Sequence, residues 1–326
     1  MTILVTGSAG SLGSEIVKQL KDNQTDFNSV YGIDINEGEH VDFKIDLVDN
    51  VSELERVFGD IQPDIIVHCA ANIYGIGGFN ALPATILGKD VAMLYNTLNL
   101  FKNLPKKTKF VYISSSMVYE QVRGDPELSE HLVDDSIAPK TEYGMSKFVG
   151  ERLVKAFGKE YGIEYTIWRP FNIITPYEKP KEGRNRQGYS HVFADFFENI
   201  LINKLNPLPI IGSGSQVRCF TWYEEVADCI VSNLWNKKTV NEVYNIGNNE
   251  PVNMMQLAHM IVDESKERGY LSKDFRLEFK SVKDYPNDVM VRVPNVFKAL
   301  GDLGFSASIK TKESIKRCMN EWEKLL

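Results

Sequence analysis

The chain has 326 residues, 43% of them apolar and 25% charged, and a formal net charge of −7. That length exceeds one small core and suits a large α/β domain or two lobes, while the acidic balance argues against non-specific binding of nucleic acid phosphates. No apolar run approaches the roughly 20 residues that span a bilayer, and Cys69, Cys219, Cys229 and Cys318 show neither CxxC pairing nor metal spacing.

The opening MTILVTGSAG reads as strand and turn from its first residues, without the pattern of a signal peptide. With unpaired cysteines, this gives the expectation of a cytoplasmic protein. ILVTG is a strand and SEIVKQLKD a helix; VYGIDI is a second strand, followed by a helix around Val51–Phe58. DIIVHCAA is a third strand, Pro83–Asn103 a long helix, and KFVYISSS a fourth strand. TEYGMSKFVGERLVKAFGKEYG is helical and leads to the strand YTIWRPF. Strands alternating with helices predict βαβ units and a parallel sheet, and the continuously apolar middle strands predict cover on both faces. The fold class is therefore α/β, a doubly wound parallel sheet.

After Phe171 the pattern changes. ITPYEKPKEGRNRQGYS reads as a long polar loop, then a helix near Phe193–Asn203, the turn-rich GSGSQVR, the helix EVADCIVSNLW and the strand EVYNIG. The remainder is mixed α/β. The expected division is a cofactor domain over residues 1–171, to which about 217–248 return. A smaller mixed α/β substrate lobe follows, formed by 172–216 and 249–326.

TGSAGSLG spaces its glycines as GxxGxxG between a strand and a helix. Gly7 permits a sharp turn, Gly10 lets backbone approach a pyrophosphate, and Gly13 lets the helix sit close to the sheet. The helix then points free N–H groups and its positive end at phosphate. Asp34 ends the second strand at the distance expected of an acid that holds both ribose hydroxyls and repels a 2′-phosphate. The reading is NAD rather than NADP.

EYGMSKF places Tyr143 and Lys147 four residues apart, on one helix face. Together with the glycine loop, Asp34, HCAA at His68–Ala71, YISSSMVY and RPFN at Arg169–Asn172, this resembles the extended short-chain dehydrogenase/reductase family. Within it, the resemblance is to the NAD-dependent nucleotide-sugar epimerase/dehydratase branch. It implies a Rossmann-like domain, a C-terminal substrate lobe and a nucleotide-diphosphate sugar as substrate. It also implies that Tyr143, Lys147 and Ser115 are catalytic, with Ser115 chosen over Ser114 and Ser116. The cofactor would be held by Gly7, Ala9, Gly10, Ser11, Leu12, Gly13, Asp34, Asp46, Leu47, Ala70, Ala71, Tyr143, Lys147 and Pro170. The substrate would be held by Ser115, Asn172, His191, Arg218 and Arg292, and no metal is expected. A phenol of pKa ~10 is a poor base near neutrality; the Lys147 ammonium and a positive nicotinamide ring are expected to lower it.

The resemblance also separates reactions. Dehydratases and sugar-acid decarboxylases of the family carry a glutamate where this chain has Met117, and a thioether cannot move protons. GDP-fucose synthase shares an AAxxGG run similar to AANIYGIGG and an SHV segment similar to YSHV at Tyr189–Val192, but uses a cysteine at the place of Met117. GSGSQVRCF gives Arg218 and VRVPNVFKALGDLGF gives Arg292, guanidinium forks suited to a diphosphate. Departures are ITPYE after RPFN, Met93 where many members have asparagine, and VYE, which lacks the usual glycine. The expected function is an NAD-dependent 4-epimerase passing through a 4-keto sugar. The alternatives are a 4-keto nucleotide-sugar reductase, a GDP-fucose-synthase-like epimerase/reductase, and a non-catalytic NAD-binding regulator. A homodimer is expected through the helices Pro83–Asn103 and Thr141–Tyr161, whose apolar residues (Ile86, Met93, Leu94, Leu98; Phe148, Val149, Leu153, Phe157) exceed what one sheet contact requires.

Overall fold

The computed structural model describes residues 1–23, 29–133, 137–178, 190–283 and 289–323. Strands β1 (Thr2–Thr6), β2 (Ser29–Asp34), β3 (Phe43–Lys44), β4 (Ile65–His68), β5 (Lys109–Ile113) and β6 (Glu164–Pro170) are followed by a short β7 (Ile173–Ile174). Next come β8 (Leu208–Ile211), β9 (Val217–Cys219), β10 (Thr221–Trp222), β11 (Glu242–Ile246), β12 (Pro251–Asn253), β13 (Phe279–Val282) and β14 (Val291–Arg292). The large sheet has seven strands in the order β11-β6-β5-β4-β1-β2-β3, all paired in parallel. This is a Rossmann-like doubly wound sheet.

Its helices are α1 (Ser11–Asp22), α2 (Val51–Ile61), α3 (Ile76–Ala81), α4 (Pro83–Phe101), α5 (Glu142–Tyr161), α6 (Val192–Phe197), α7 (Tyr223–Ser232), α8 (Met254–Glu267), α9 (Phe297–Leu303) and α10 (Thr311–Trp322). Alternation along the strands sorts the core. Ile3, Val5, Ile65, Val67, Val111 and Ile113 pack with α1 and α7 on one face. Leu4, Ile66, Phe110 and Ile167 pack with α2, α4 and α5 on the other. With both faces covered, the strands are apolar throughout.

The chain winds outward from β1 through β2 to β3, then returns to place β4 on the other side of β1. That reversal opens a crevice at the carboxyl ends of β1 and β4, where doubly wound sheets bind ligands. Of the segment 217–248, β11 joins the large sheet, whereas β9 pairs with β12 and β14 in a separate three-stranded sheet. Over this small sheet lies a further core in which Phe193, Phe197, Leu257 and Trp322 are buried. The four cysteines are unpaired; Cys69, at the end of β4, is half-buried and the other three are buried. No helix among the described residues is long and apolar enough to cross a membrane.

The helices expected to carry a dimer pack on each other within this chain. Of the residues that motivated the expectation, Ile86, Leu94, Leu98, Phe148 and Phe157 are buried here. The apolar surplus is thus absorbed mainly by the contact between α4 and α5 and by the sheet.

Candidate functional site

The glycine loop leaves β1 with Gly7 at φ 73°, and a Cβ there would lie 2.7 Å from the Ala70 backbone nitrogen. At Gly13 a Cβ would lie 2.2 Å from the Gly7 carbonyl oxygen. A side chain at Gly7 would push the loop off the backbone that follows β4, and one at Gly13 would wedge α1 away from the loop. Gly10 is the N-cap of α1 and no side chain caps the helix, so the first N–H groups, around Ser11, Leu12 and Gly13, remain available to an anion. This uncapped cradle, closed to a Cβ at Gly7 and Gly13 and tight at Gly10, fits a dinucleotide pyrophosphate.

Asp34 ends β2 and holds the loop from below: Oδ2 accepts from the Ala9 N–H at 3.0 Å and Oδ1 from the Asn36 N–H at 2.8 Å. Oδ1 accepts a second time, from the Asn36 side-chain amide at 3.3 Å, and Oδ2 keeps a lone pair for a ribose hydroxyl. Asp46 accepts from the Val48 N–H at 2.8 Å, which forms the turn before α2, and the Leu47 carbonyl accepts from Asn96 at 2.9 Å. On the other side of the crevice the Thr6 hydroxyl meets both His68 Nδ1, at 3.0 Å, and the Ala70 N–H, at 3.3 Å. Burial and the Lys147 charge push His68 down to about 3, so it is neutral and structural. Ala71 continues this loop, half-buried, and Pro170 closes β6 opposite Ile246.

The reactive groups gather where β5 and α5 meet. Ser115 follows β5 as the N-cap of a 3₁₀ turn, Ser116–Tyr119, its Oγ accepting from the Met117 N–H at 3.2 Å. The same hydroxyl hydrogen-bonds Tyr143. Ser114 points elsewhere, donating to Glu151 Oε1 at 2.6 Å. The Tyr143 ring stacks on Phe79 of α3 with centroids 4.5 Å apart and planes 8° from parallel. Lys147 Nζ donates to the Ile113 carbonyl at 3.0 Å and lies 5.9 Å from the Tyr143 ring centroid.

Burial pushes the phenol up to about 12; the Ser115 hydrogen bond and the Arg292 charge lower it, and Asp90 raises it. The expected fall toward neutrality is therefore not supplied by the chain's own groups, because desolvation outweighs them. Burial also lowers Lys147, with Asp90 and Cys69 opposing.

Two buried carboxylates that the sequence did not single out hold this arrangement. Glu151 forms a two-pronged pair with Arg169, Nε to Oε1 at 2.8 Å and Nη2 to Oε2 at 2.7 Å. Arg169 continues to the Tyr119 hydroxyl at 2.8 Å, which donates to Asn245 Oδ1 at 2.7 Å. A glutamate eight residues after Tyr143, on the same helix face as Lys147, was the available signal. Glu120, the residue in place of the usual glycine, is fully buried. Its Oε2 accepts from the Lys140 and Thr141 N–H groups at 2.7 and 2.8 Å, just before the N-cap of α5.

The residues expected to hold substrate come from the small sheet and the segments after β5 and β6. Arg218 and Arg292 are adjacent in register on β9 and β14, both largely buried. Arg218 Nη1 donates to the Val217 carbonyl at 2.9 Å. Arg292 Nη2 donates to Asn172 Oδ1 at 3.0 Å, and Nη1 contacts Met117 Sδ. Asn172 itself sits at φ 28°. His191 begins α6 and pairs with Glu178, Nδ1 to Oε2 at 2.7 Å, which raises its pKa. Asn172, Glu178, His191, Phe193 and Trp322 all line a cavity of about 50 Å³. Tyr189 of the YSHV segment lies outside the described residues.

The geometry thus joins a dinucleotide cradle, a phenol–ammonium–hydroxyl cluster and a pair of arginines. A family model described as the NAD dependent epimerase/dehydratase family matches residues 3–247. The chain is 29% identical to a Methanocaldococcus jannaschii protein provisionally named UDP-glucose 4-epimerase, over 99% of this chain and 98% of the relative. It is 25% identical to a dTDP-glucose 4,6-dehydratase of Salmonella typhimurium, over 99% and 92%. Among solved structures it superimposes on a UDP-glucose 4-epimerase of Thermotoga maritima, solved with UDP-glucose, with a TM-score of 0.83 and 25% identity, covering 100% of this chain and 99% of that one.

Proposed function

Because the chain belongs to the NAD-dependent epimerase/dehydratase family, we propose that it is a nucleotide-sugar 4-epimerase with Tyr143 as the proton carrier. Its cofactor is NAD. The observation that carries the choice of reaction is Met117, seated between the Ser115 turn and Arg292. Water elimination needs an acid or base beside the sugar ring, and a thioether supplies neither.

NAD held by these residues would supply hydride transfer at the sugar's C4, away from one face and back to the other. The chain's residues do the rest. Ser115 orients the sugar's 4-hydroxyl, and Tyr143 takes its proton and later gives it back. Lys147 holds the nicotinamide ribose and keeps a positive charge near the phenol. The glycine loop with Ala9, Ser11 and Leu12 holds the pyrophosphate. Asp34 holds the adenine ribose, and Asp46, Leu47, Ala70, Ala71 and Pro170 border the cofactor. Arg218 and Arg292 grip the nucleotide diphosphate, while Asn172 and His191 contact phosphate or sugar. We also propose a cytoplasmic homodimer, using the outward side of α4 and α5 where Tyr95 is 47% exposed and Val149 and Leu153 are half-buried.

The test is incubation with a panel of nucleotide sugars, read by NMR. Appearance of the C4 epimer without net consumption of cofactor supports the proposal. A 6-deoxy-4-keto product, or stoichiometric oxidation of added NADH, overturns it in favour of a dehydratase or a reductase. Light scattering at micromolar concentration tests the dimer, and a monomer mass removes it.

A further inference from the structure

We propose that Asp90 is a positioning residue for the reactive pair: from α4 its buried carboxylate ties the loop after β4 to α5 between Tyr143 and Lys147. The inference rests on the reading of Tyr143 as the proton carrier. Asp90 is 7% exposed. Its Oδ1 accepts from the Asn72 backbone N–H at 2.8 Å and from the Asn72 side chain at 2.9 Å. Its Oδ2 lies 3.2 Å from the Ser146 hydroxyl, which is also 2.9 Å from the Tyr143 carbonyl, so one proton is shared between the two acceptors. A single carboxylate thus holds the loop bordering the cofactor crevice and the turn of α5 that presents the phenol.

Three neutral donors do not cancel the charge. Among the described residues Asp90 has no cation within ion-pair distance, and a buried carboxylate in that state is costly. The cation it faces is Lys147, whose ammonium it supports against burial. The same charge disfavours ionisation of Tyr143 and of Tyr112 on β5. Other ionisable groups close the site: His68 and Cys69 on β4 face Lys147, Arg292 on β14 faces Tyr143, and Glu151 on α5 faces Tyr112.

The consequence is a bias on the proton. Asp90 favours the protonated forms of phenol and ammonium together. That bias makes the phenolate a stronger base toward the 4-hydroxyl and keeps the proton on Tyr143 while the sugar is in its 4-keto form. Asp90 supplies the bias without touching substrate.

The experiment uses the full chain with NAD present and tyrosine labelled at Cζ with carbon-13. Tyr143 is assigned by the signal lost in Tyr143→Phe, and the onset of its ionisation is followed from about pH 6 to about pH 12. Asp90→Asn keeps shape and removes charge, so the Tyr143 signal moves to its ionised position at lower pH than in wild type. Ser146→Ala leaves the charge with one donor fewer, so ionisation moves to higher pH. Asp90→Ala also frees the Asn72 loop and weakens NAD binding, by about 10-fold for one lost charge-assisted contact. Unmoved Tyr143 titrations in both folded variants, Asp90→Asn and Ser146→Ala, overturn the proposal. Near-wild-type turnover of Tyr143→Phe instead removes the proton role on which it rests. The NMR titration and the turnover assay therefore separate the two failures.

Discussion

The two walls of the crevice are built on different principles. The proposed cofactor wall is mostly backbone: Gly7, Gly10 and Gly13 lie within one turn, their geometry is fixed by contacts of that turn with itself and with Ala70, and one carboxylate, Asp34, braces it. The proposed substrate wall is mostly side chains brought from separate segments: Ser115 after β5, Asn172 after β6, His191 at α6, Arg218 on β9 and Arg292 on β14. A wall made of backbone tolerates almost no added atom. A wall made of long side chains can lose one group and keep its shape, at the cost of affinity or rate.

Four measurements press on that contrast. The largest effect belongs to the meeting point of the walls: Tyr143→Phe keeps ring packing on Phe79 and NAD binding, while turnover falls about 100- to 10,000-fold, the range of a general acid–base group. Next is Gly13→Ala on the cofactor wall. Its Cβ would overlap the Gly7 carbonyl, and an overpacking cost of about 1–3 kcal/mol should appear as a loss of NAD affinity and of thermal stability together. Arg292→Met, on the substrate wall, should raise KM for the nucleotide sugar about 10-fold or more, through loss of a charged hydrogen-bonding partner, and leave melting temperature nearly unchanged. A large melting-temperature loss there would erase the contrast.

The smallest effect concerns pH. Glu178 raises the folded-state pKa of His191 above its ordinary value of 6.5. The stability contributed by this pair is therefore full below about 6.5 and is lost as pH rises through the folded value. His191 is 47% exposed, so solvent screens the pair. Glu178→Gln should lower the melting temperature by about 1 °C at pH below 6.5 and leave it unchanged under alkaline conditions.

The same contrast explains what could be read from the sequence. Strand–helix alternation, the glycine spacing and Asp34 are local patterns, and β1, α1 and β2 fall where those patterns put them. Tyr143 and Lys147 were legible because a four-residue spacing is itself a helix geometry. Other features depend on packing that no short window contains. Met93 marked a missing asparagine on the long helix, yet the polar contact to α5 comes from Asp90, one turn earlier. Glu120 read only as a missing glycine, and its role as an anchor for the Lys140 and Thr141 N–H groups depends on a chain reversal 20 residues long. How far burial opposes ionisation of Tyr143 was not legible, because spacing reports the neighbouring charge and not the degree of burial. How much of the apolar surface of α4 and α5 is covered within the chain was hidden for the same reason: an apolar residue does not announce which neighbour covers it.

Three of the four unpaired thiols turn this architecture into its own clock. Burial pushes Cys219 up to about 12 and raises Cys229 and Cys318 as well. At neutral pH these three buried groups are held as unreactive thiols while the structure is closed. Their alkylation then waits on opening, whereas half-buried Cys69 does not need it. Cys219 reports the small sheet, Cys229 α7 and Cys318 α10. Pulse labelling of the native chain, read by mass, would time the opening of three separate regions without introducing a single probe.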